Sequence, residues 1–252
     1  MKGPLSYVGG KNRFISKILP LIPEHTTYVE PFAGGAQIFF QKTISKVEVL
    51  NDLDGELVNF YRVCQSHYEE LLRYMRFLVP SREWYQKLQS TPPESLTDIQ
   101  RAARYFYLQK LSFGGRVVHQ NYAVHVIQRP SFASPRLSAL IENTHKRLKI
   151  VQIESLPYEQ AIRKYDRPTT FFYIDPPYYG VRGLYRFDFE PHDFERLAET
   201  LRSIKGKFLL SVNDHPEVRK LFSGFSMEAF SISYTIQQSA GKRYPELLIK
   251  NY

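Results

Sequence analysis

The sequence predicts an α/β fold: a mostly parallel sheet interrupted by a mainly helical insertion. Three observations lead there. Strand-like runs alternate with helix-like runs at both ends of the 252-residue chain. The stretch 56–148 breaks that alternation with helical spacings. Three of the strand-like runs also stop abruptly in acids, glycines or prolines, at the carboxyl ends where open α/β sheets hold their ligands.

The elements follow in order. "TTYVEPFAGG" (26–35) reads as a short strand closed by a Gly turn, and "AQIFFQKTI" (36–44) as a helix. "KVEVLNDLDG" (46–55) alternates Val47 and Val49 before Leu50 and polar residues, a strand pattern. Residues 56–78 carry apolar side chains at Leu57, Phe60, Tyr61, Cys64, Tyr68, Leu71 and Leu72, the spacing of one helix. Helical patterns return at 101–111 and 136–148, and the Gly, β-branched and polar residues from Gly114 to Pro130 suggest a hairpin between them. Strand-like runs at 149–155, 170–175 and 207–214 are then separated by helical 158–165 and 193–204. Two more strands are expected at 225–236 and 244–252. The expected division is a catalytic domain from 1–55 and 149–252, with 56–148 as an insert.

The charge is unevenly placed. Of the formal net charge of +9, residues 56–150 hold 14 Lys/Arg against 7 Asp/Glu, whereas residues 1–55 hold 6 against 5 and residues 151–252 hold 14 against 13. A basic excess confined to the middle third points to a polyanionic partner, of which nucleic acid is the commonest. No apolar run approaches the ~20 residues of a membrane helix. No cationic region followed by a long apolar core marks a signal peptide, and a cytoplasmic location is expected. The one cysteine, Cys64, allows neither an internal disulfide nor a cysteine metal cluster and reads as a small buried hydrophobe, so no metal is expected.

Chemistry concentrates at three strand ends. The first is "EPFAGG", where Glu30 precedes a turn whose Gly34 and Gly35 let the backbone approach a ligand. It is not GxGxxG and no GK[ST] follows, so phosphate cradling has little support. The second is "LNDLD", where Asp52 stands at the usual place for a carboxylate accepting from both hydroxyls of a ribose. Helix capping is the rival role there, with Asp54 a competing cap. The third is "FFYIDPPYYG" (171–180): four apolar residues deliver Asp175 into Pro176, Pro177 and Tyr178. Prolines lack an N–H, so this backbone offers carbonyls without competing donors. A carboxylate and a fixed carbonyl suit an amino group with two N–H donors, and Tyr178 supplies a face on which a planar ring stacks. Together they describe a clamp for an aromatic exocyclic amine.

These motifs in this order resemble the DNA adenine-N6 methyltransferases, specifically the Dam-like group whose recognition segment lies between the cofactor and DPPY motifs. "YVGGK" (7–11), "VEPFAGG" (29–35), "LNDLD" (50–54), "DPPYYG" (175–180) and "SAGKRYPELLIKNY" (239–252) carry the resemblance across essentially the whole chain. It implies a Rossmann-like, seven-stranded, mostly parallel methyltransferase sheet and S-adenosylmethionine as cofactor. Tyr7 and Lys11 are expected to border the methionyl end, Lys11 neutralising its carboxylate. Glu30 and the turn from Phe32 to Gly34 and Gly35 are expected along the methionine, Asp52 on the ribose, and Ser155 and Leu156 beside the adenine. Asp175 is expected to meet both cofactor and substrate. The implied reaction flips an adenine out of duplex DNA, at a few kcal/mol, stacks it on Tyr178, binds N6 with Asp175 and the Pro176 carbonyl, and transfers the methyl by direct in-line displacement. Cys64 takes no part, unlike the nucleophile of cytosine-C5 methylation.

"LSFGGRVVHQNYAVHVIQRPSF" (111–132) aligns by position with the recognition hairpin of GATC-specific relatives, which carry Arg-x-Asn after the Gly turn. Here Val117, Val118, His119 and Gln120 separate Arg116 from Asn121, so GATC specificity is not carried over. Arg116, Asn121 and Arg129 remain candidates for base edges or phosphates, because Arg suits guanine and Asn adenine. Lys242 and Arg243 are candidates for phosphates. Cytosine-N4 methylation is the nearest alternative, and a catalytically inactive DNA-binding regulator on the same fold is another; a methyltransferase for protein glutamine or RNA is disfavoured by the insert and by Asp at 175. Residues 179–189 read as a lid over the flipped base. A partner endonuclease cannot be deduced from this chain.

Overall fold

The computed structural model describes residues 1–7, 11, 14–113, 117–123, 132, 137–230 and 245–252. A seven-stranded sheet runs in the order β3-β2-β1-β4-β5-β7-β6. Its strands are β1 (Thr27–Glu30), β2 (Val47–Asn51), β3 (Gln152–Glu154), β4 (Thr170–Ile174), β5 (Lys207–Asn213), β6 (Ser226–Phe230) and β7 (Glu246–Lys250). The pairs among β1 to β5 are parallel, and β7 is antiparallel to both β5 and β6. The mostly parallel α/β sheet expected from the alternation is thus present, with all seven strands.

Period-two alternation decides which side chain meets which layer. Tyr28, Leu50, Phe171, Tyr173, Leu209 and Leu248 join one core cluster; their neighbours Val29, Val49, Phe172, Ile174, Leu210, Leu247 and Ile249 join the other. β4 lies between β1 and β5 with both faces covered, which is why all five of its residues are buried and its sequence is an unbroken run rather than an alternation. The second cluster is completed by α8 (Tyr158–Tyr165), α9 (Pro191–Ser203) and α10 (Pro216–Leu221).

The first face carries α1 (Ile15–Ile18), α2 (Gln37–Gln41) and the helices that follow β2. These are α3 (Gly55–Ser66), α4 (Tyr68–Met75), α5 (Arg82–Ser90), α6 (Asp98–Leu111) and α7 (Leu137–Leu148). The helix expected over 56–78 is two, because His67 leaves helical geometry at φ −138°, ψ 37°. Helices 55–148 share one core with the sheet: Phe60 of α3 stacks on Phe106 of α6 with centroids 5.3 Å apart, in the cluster that holds Tyr28 and Phe171. Between α6 and α7 the chain doubles back, with Ser112 bridged antiparallel to Tyr122. The strand expected over 225–236 is described to Phe230, and its remainder lies outside the described residues.

The order places β1 beside β4, with β2 and β3 leading away on one side and β5 on the other. Their carboxyl ends therefore splay apart at one point, the crevice where such sheets bind ligands. Glu30 ends β1 and Asp175 follows β4, so the two expected acids stand side by side there.

Candidate active site

A cavity of about 270 Å³ opens at this crevice, lined among others by Tyr7, Lys11, Glu30, the turn from Phe32 to Gly35, Asp52, Leu156, Asp175 and Pro177. Of the expected site residues, Ser155 lies apart: it lines a separate depression beside α3 with Asn59 and Arg62. Pro176 and Tyr178 are not in the cavity wall.

The glycine turn is fixed from three sides. Gly34 sits at φ +46°, a conformation an L side chain rarely adopts. Its N–H donates to Asp52 Oδ2 at 2.9 Å, and its carbonyl accepts from the Tyr61 hydroxyl at 2.7 Å. The Tyr7 ring packs so closely that a Cβ on Gly34 would stand 3.3 Å from it. Asp52 Oδ1 also accepts from the Asp54 N–H at 2.9 Å. The capping question resolves here: Asp54 is the N-cap of α3, accepting from Glu56 N–H at 3.0 Å, and both acids line the cavity. Burial pushes the Asp52 carboxyl up to about 6 against the pull of its backbone donors.

Asn51 escaped sequence reasoning, although it lies within "LNDLD". Its side chain donates to the carbonyls of Pro31 at 2.9 Å and Leu156 at 3.0 Å and accepts from Leu156 N–H at 2.9 Å. It thereby ties the ends of β1, β2 and β3 together. Glu30 is buried, accepting from the Tyr28 hydroxyl at 2.6 Å and Phe39 N–H at 2.9 Å, and burial pushes its carboxyl up to about 8. Phe32 stacks on Tyr158 with centroids 5.1 Å apart and meets Phe189 edge-on. The segment expected as a lid over a base supplies Tyr185 to Phe189 to the wall of this cavity, and Arg186 reaches Asp54 at 3.6 Å.

At the end of β4, Asp175 Oδ1 meets Lys11 Nζ at 2.8 Å. That ammonium also contacts Glu246 Oε1 at 3.1 Å and donates to the Tyr178 hydroxyl at 3.3 Å. Two carboxylates thus match the charge expected to serve the methionyl carboxylate. Burial raises Asp175 to about 6; Lys11 opposes this and Glu246 adds to it. Behind the motif, Asn213 grips Tyr179 on both sides of its peptide: Tyr179 N–H donates to Asn213 Oδ1 at 2.8 Å, and Asn213 Nδ2 donates to the Tyr179 carbonyl at 3.1 Å. Glu246 and Asn213 were not signalled in advance; each looks like an ordinary polar residue at a strand end.

Of the expected DNA contacts, Arg116, Arg129, Lys242 and Arg243 lie outside the described residues. Asn121 is exposed and its carbonyl accepts from Phe113 N–H at 3.1 Å. Cys64 is buried, and burial pushes its thiol well up, which suits no nucleophile. Among the described residues no helix is long and apolar enough to cross a membrane.

The strand order is consistent with a Rossmann-like methyltransferase fold. The family model for D12 class N6 adenine-specific DNA methyltransferases matches residues 7–236, and the chain belongs to that family. It is 26% identical to the type II methyltransferase M.CviBI of Paramecium bursaria Chlorella virus NC1A over the full length of both chains. It is likewise 26% identical to the type II methyltransferase M1.LlaDCHI of Lactococcus lactis subsp. cremoris, over 98% of this chain and 94% of that one. A DNA N-6-adenine-methyltransferase of Escherichia phage P1 is 25% identical over 88% of this chain, which spans 31% of that protein. The protein is therefore a methyltransferase acting on adenine N6 in DNA, the activity expected from the ordered motifs.

Proposed function

We propose that the cavity beneath Asp175 holds S-adenosylmethionine and that the motif from Asp175 to Tyr178 receives a flipped adenine beside it. The single observation that carries this reading is the shared position of Asp175: it lines the cavity and begins the Pro-Pro stop. The residues fit the cofactor. Asp52, Asp54 and Asp175 make the wall acid-rich, which suits a cationic molecule bearing a diol. The Tyr173 hydroxyl, buried in the same wall, has no hydrogen-bond partner among the described residues.

When bound, this cofactor supplies a methyl group activated by a sulfonium. Asp52 accepts from the ribose hydroxyls with the lone pairs its backbone donors leave. Tyr7, Glu30, Phe32, Gly34 and Gly35 line the methionine, and Leu156 flanks the adenine. Lys11 borders the same end while holding Asp175. Asp175 Oδ1 is engaged by Lys11, which leaves Oδ2 as the other carboxylate oxygen. That oxygen and the Pro176 carbonyl accept from N6 and aim its lone pair. Fixed acceptors of this kind stabilise the positive charge that develops on the nitrogen, and positioning alone accounts for roughly 7–11 kcal/mol of a barrier at best.

Duplex DNA is the substrate, with Arg116, Asn121 and Arg129 reading the site and Lys242 and Arg243 on phosphates. Support for that reading comes from the basic excess of residues 56–150. Asp175→Asn tests the clamp: methylation is expected to fall by at least about 1000-fold, the scale of losing a preorganised transition-state contact, with S-adenosylhomocysteine still bound. Retained turnover overturns it. Arg116→Ala tests recognition: a changed map of methylated sites with unchanged cofactor affinity is expected, and an unchanged map removes Arg116 from that role.

A further inference from the structure

We propose that Glu246 is a positioning residue for methyl transfer, holding the Tyr178 ring directly and the Asp175 carboxylate through Lys11. It is the first residue of β7, the antiparallel strand, and only 1% exposed. A carboxylate this deep needs several donors, and Glu246 has three from three parts of the chain. Tyr178 hydroxyl donates to Oε2 at 2.7 Å, Ser211 hydroxyl to Oε1 at 2.6 Å, and Lys11 Nζ stands 3.1 Å from Oε1.

Each contact has a consequence for the clamp. The Tyr178 proton is committed to Glu246, so the phenol offers the base a face and not an acid. Anchoring the hydroxyl at the far end of the side chain also fixes the axis of the ring, because a side chain held at both Cβ and Oη cannot swing about χ1. Lys11 is shared between Glu246 Oε1 and Asp175 Oδ1, with its ammonium 4.8 Å from the Tyr178 ring centroid. One ammonium therefore registers the acid of the motif against its ring. Without Glu246, Lys11 would lose one of its two carboxylates and be drawn further onto Asp175, weakening that carboxylate as an acceptor for N6. β7 lies across β5 from β4, so this brace joins the site to a strand far away in sequence.

The inference rests on Asp175 and Tyr178 receiving the adenine, and the test separates the two. Turnover, S-adenosylhomocysteine affinity and thermal midpoint are measured for wild type, Glu246→Gln, Tyr178→Phe, the double variant and Asp175→Asn. Expected are kcat losses of about 10- to 100-fold for Glu246→Gln, a misplacement effect, and a comparable loss for Tyr178→Phe. The double variant should be no worse than the poorer single, because both remove the same link. Cofactor affinity should be unchanged. The acid limb of kcat should also move to lower pH in Glu246→Gln. Among the described residues the titratable groups facing Asp175 are Lys11, Glu30, Tyr173 and Glu246, and the change removes one negative neighbour. Multiplicative losses, an unmoved pH limb, or a kcat loss that only tracks the thermal midpoint overturn the proposal. Should Glu246→Gln fail to fold, Tyr178→Phe decides alone, and wild-type turnover there refutes it. If Asp175→Asn keeps its activity, the clamp reading has failed instead.

Discussion

Gly34 donates its backbone N–H to Asp52 over 2.9 Å, across 18 residues of sequence. One carboxylate therefore shapes the glycine turn and faces the cavity proposed to hold the cofactor's diol. Asp52→Asn puts an amide where two backbone N–H groups and the ribose need acceptors. Hydrogen bonds to a charged group are worth about 1.5–3 kcal/mol each. Titration calorimetry is expected to show S-adenosylhomocysteine bound about 10- to 100-fold more weakly. The helical circular dichroism should not change, since Asp54 and not Asp52 caps α3.

Asp175 and Asp52 both protonate near pH 6 in the cofactor-free protein, raised by burial. Each acts only as an anion or as a full acceptor. The pH profile of kcat/KM is expected to fall on the acid side of about 6, with the steeper slope of two groups rather than one. A profile flat to pH 5 contradicts this assignment.

Glu30 gives the opposite sign in stability. Its folded carboxyl is raised from 4.5 to about 8 by burial, so the folded state holds a proton that the unfolded chain has lost. The stability this confers is complete below about 4.5, declines as pH rises, and is gone above about 8. Glu30→Gln keeps a neutral group at every pH. In urea denaturation of cofactor-free protein, the variant should gain on wild type between pH 5 and pH 8 by a few kcal/mol, at about 1.4 kcal/mol per unit. Parallel pH curves refute the burial argument.

Two glycines should respond oppositely to alanine. A Cβ on Gly35 would meet Tyr7 Cβ at 2.9 Å, an atom close to its backbone that cannot give way. Gly35→Ala is expected to cost about 1–3 kcal/mol and to weaken cofactor binding. Gly55 opens α3 into free space, so Gly55→Ala should stabilise by about 0.4–1 kcal/mol. Chemical denaturation of both variants checks the pair.

Strand ends were the most legible part of this chain. The unbroken run Phe171–Ile174 announced a strand covered on both faces, and the Pro-Pro stop marked where its chemistry begins. α5 went unread because only Tyr85 and Leu88 of its nine residues are buried, too few to set a period, although Ser81 caps it. The division at His67 left no pattern to read, since apolar spacing continues through Tyr68 and Leu71. Glu246 and Asn51 were invisible for another reason: their meaning lies in partners 68 and 105 residues away. Spacing within a segment carries no trace of such contacts.

The most direct measurement is the identity of the methylated base. Wild-type protein is incubated with unmethylated duplex DNA and S-adenosylmethionine labelled in its methyl group, and the DNA is digested to nucleosides. Label in N6-methyladenine, absent with Asp175→Asn, is the expected result. Label in N4-methylcytosine, or equal labelling by the Asp175→Asn variant, contradicts the assignment of this clamp to adenine N6.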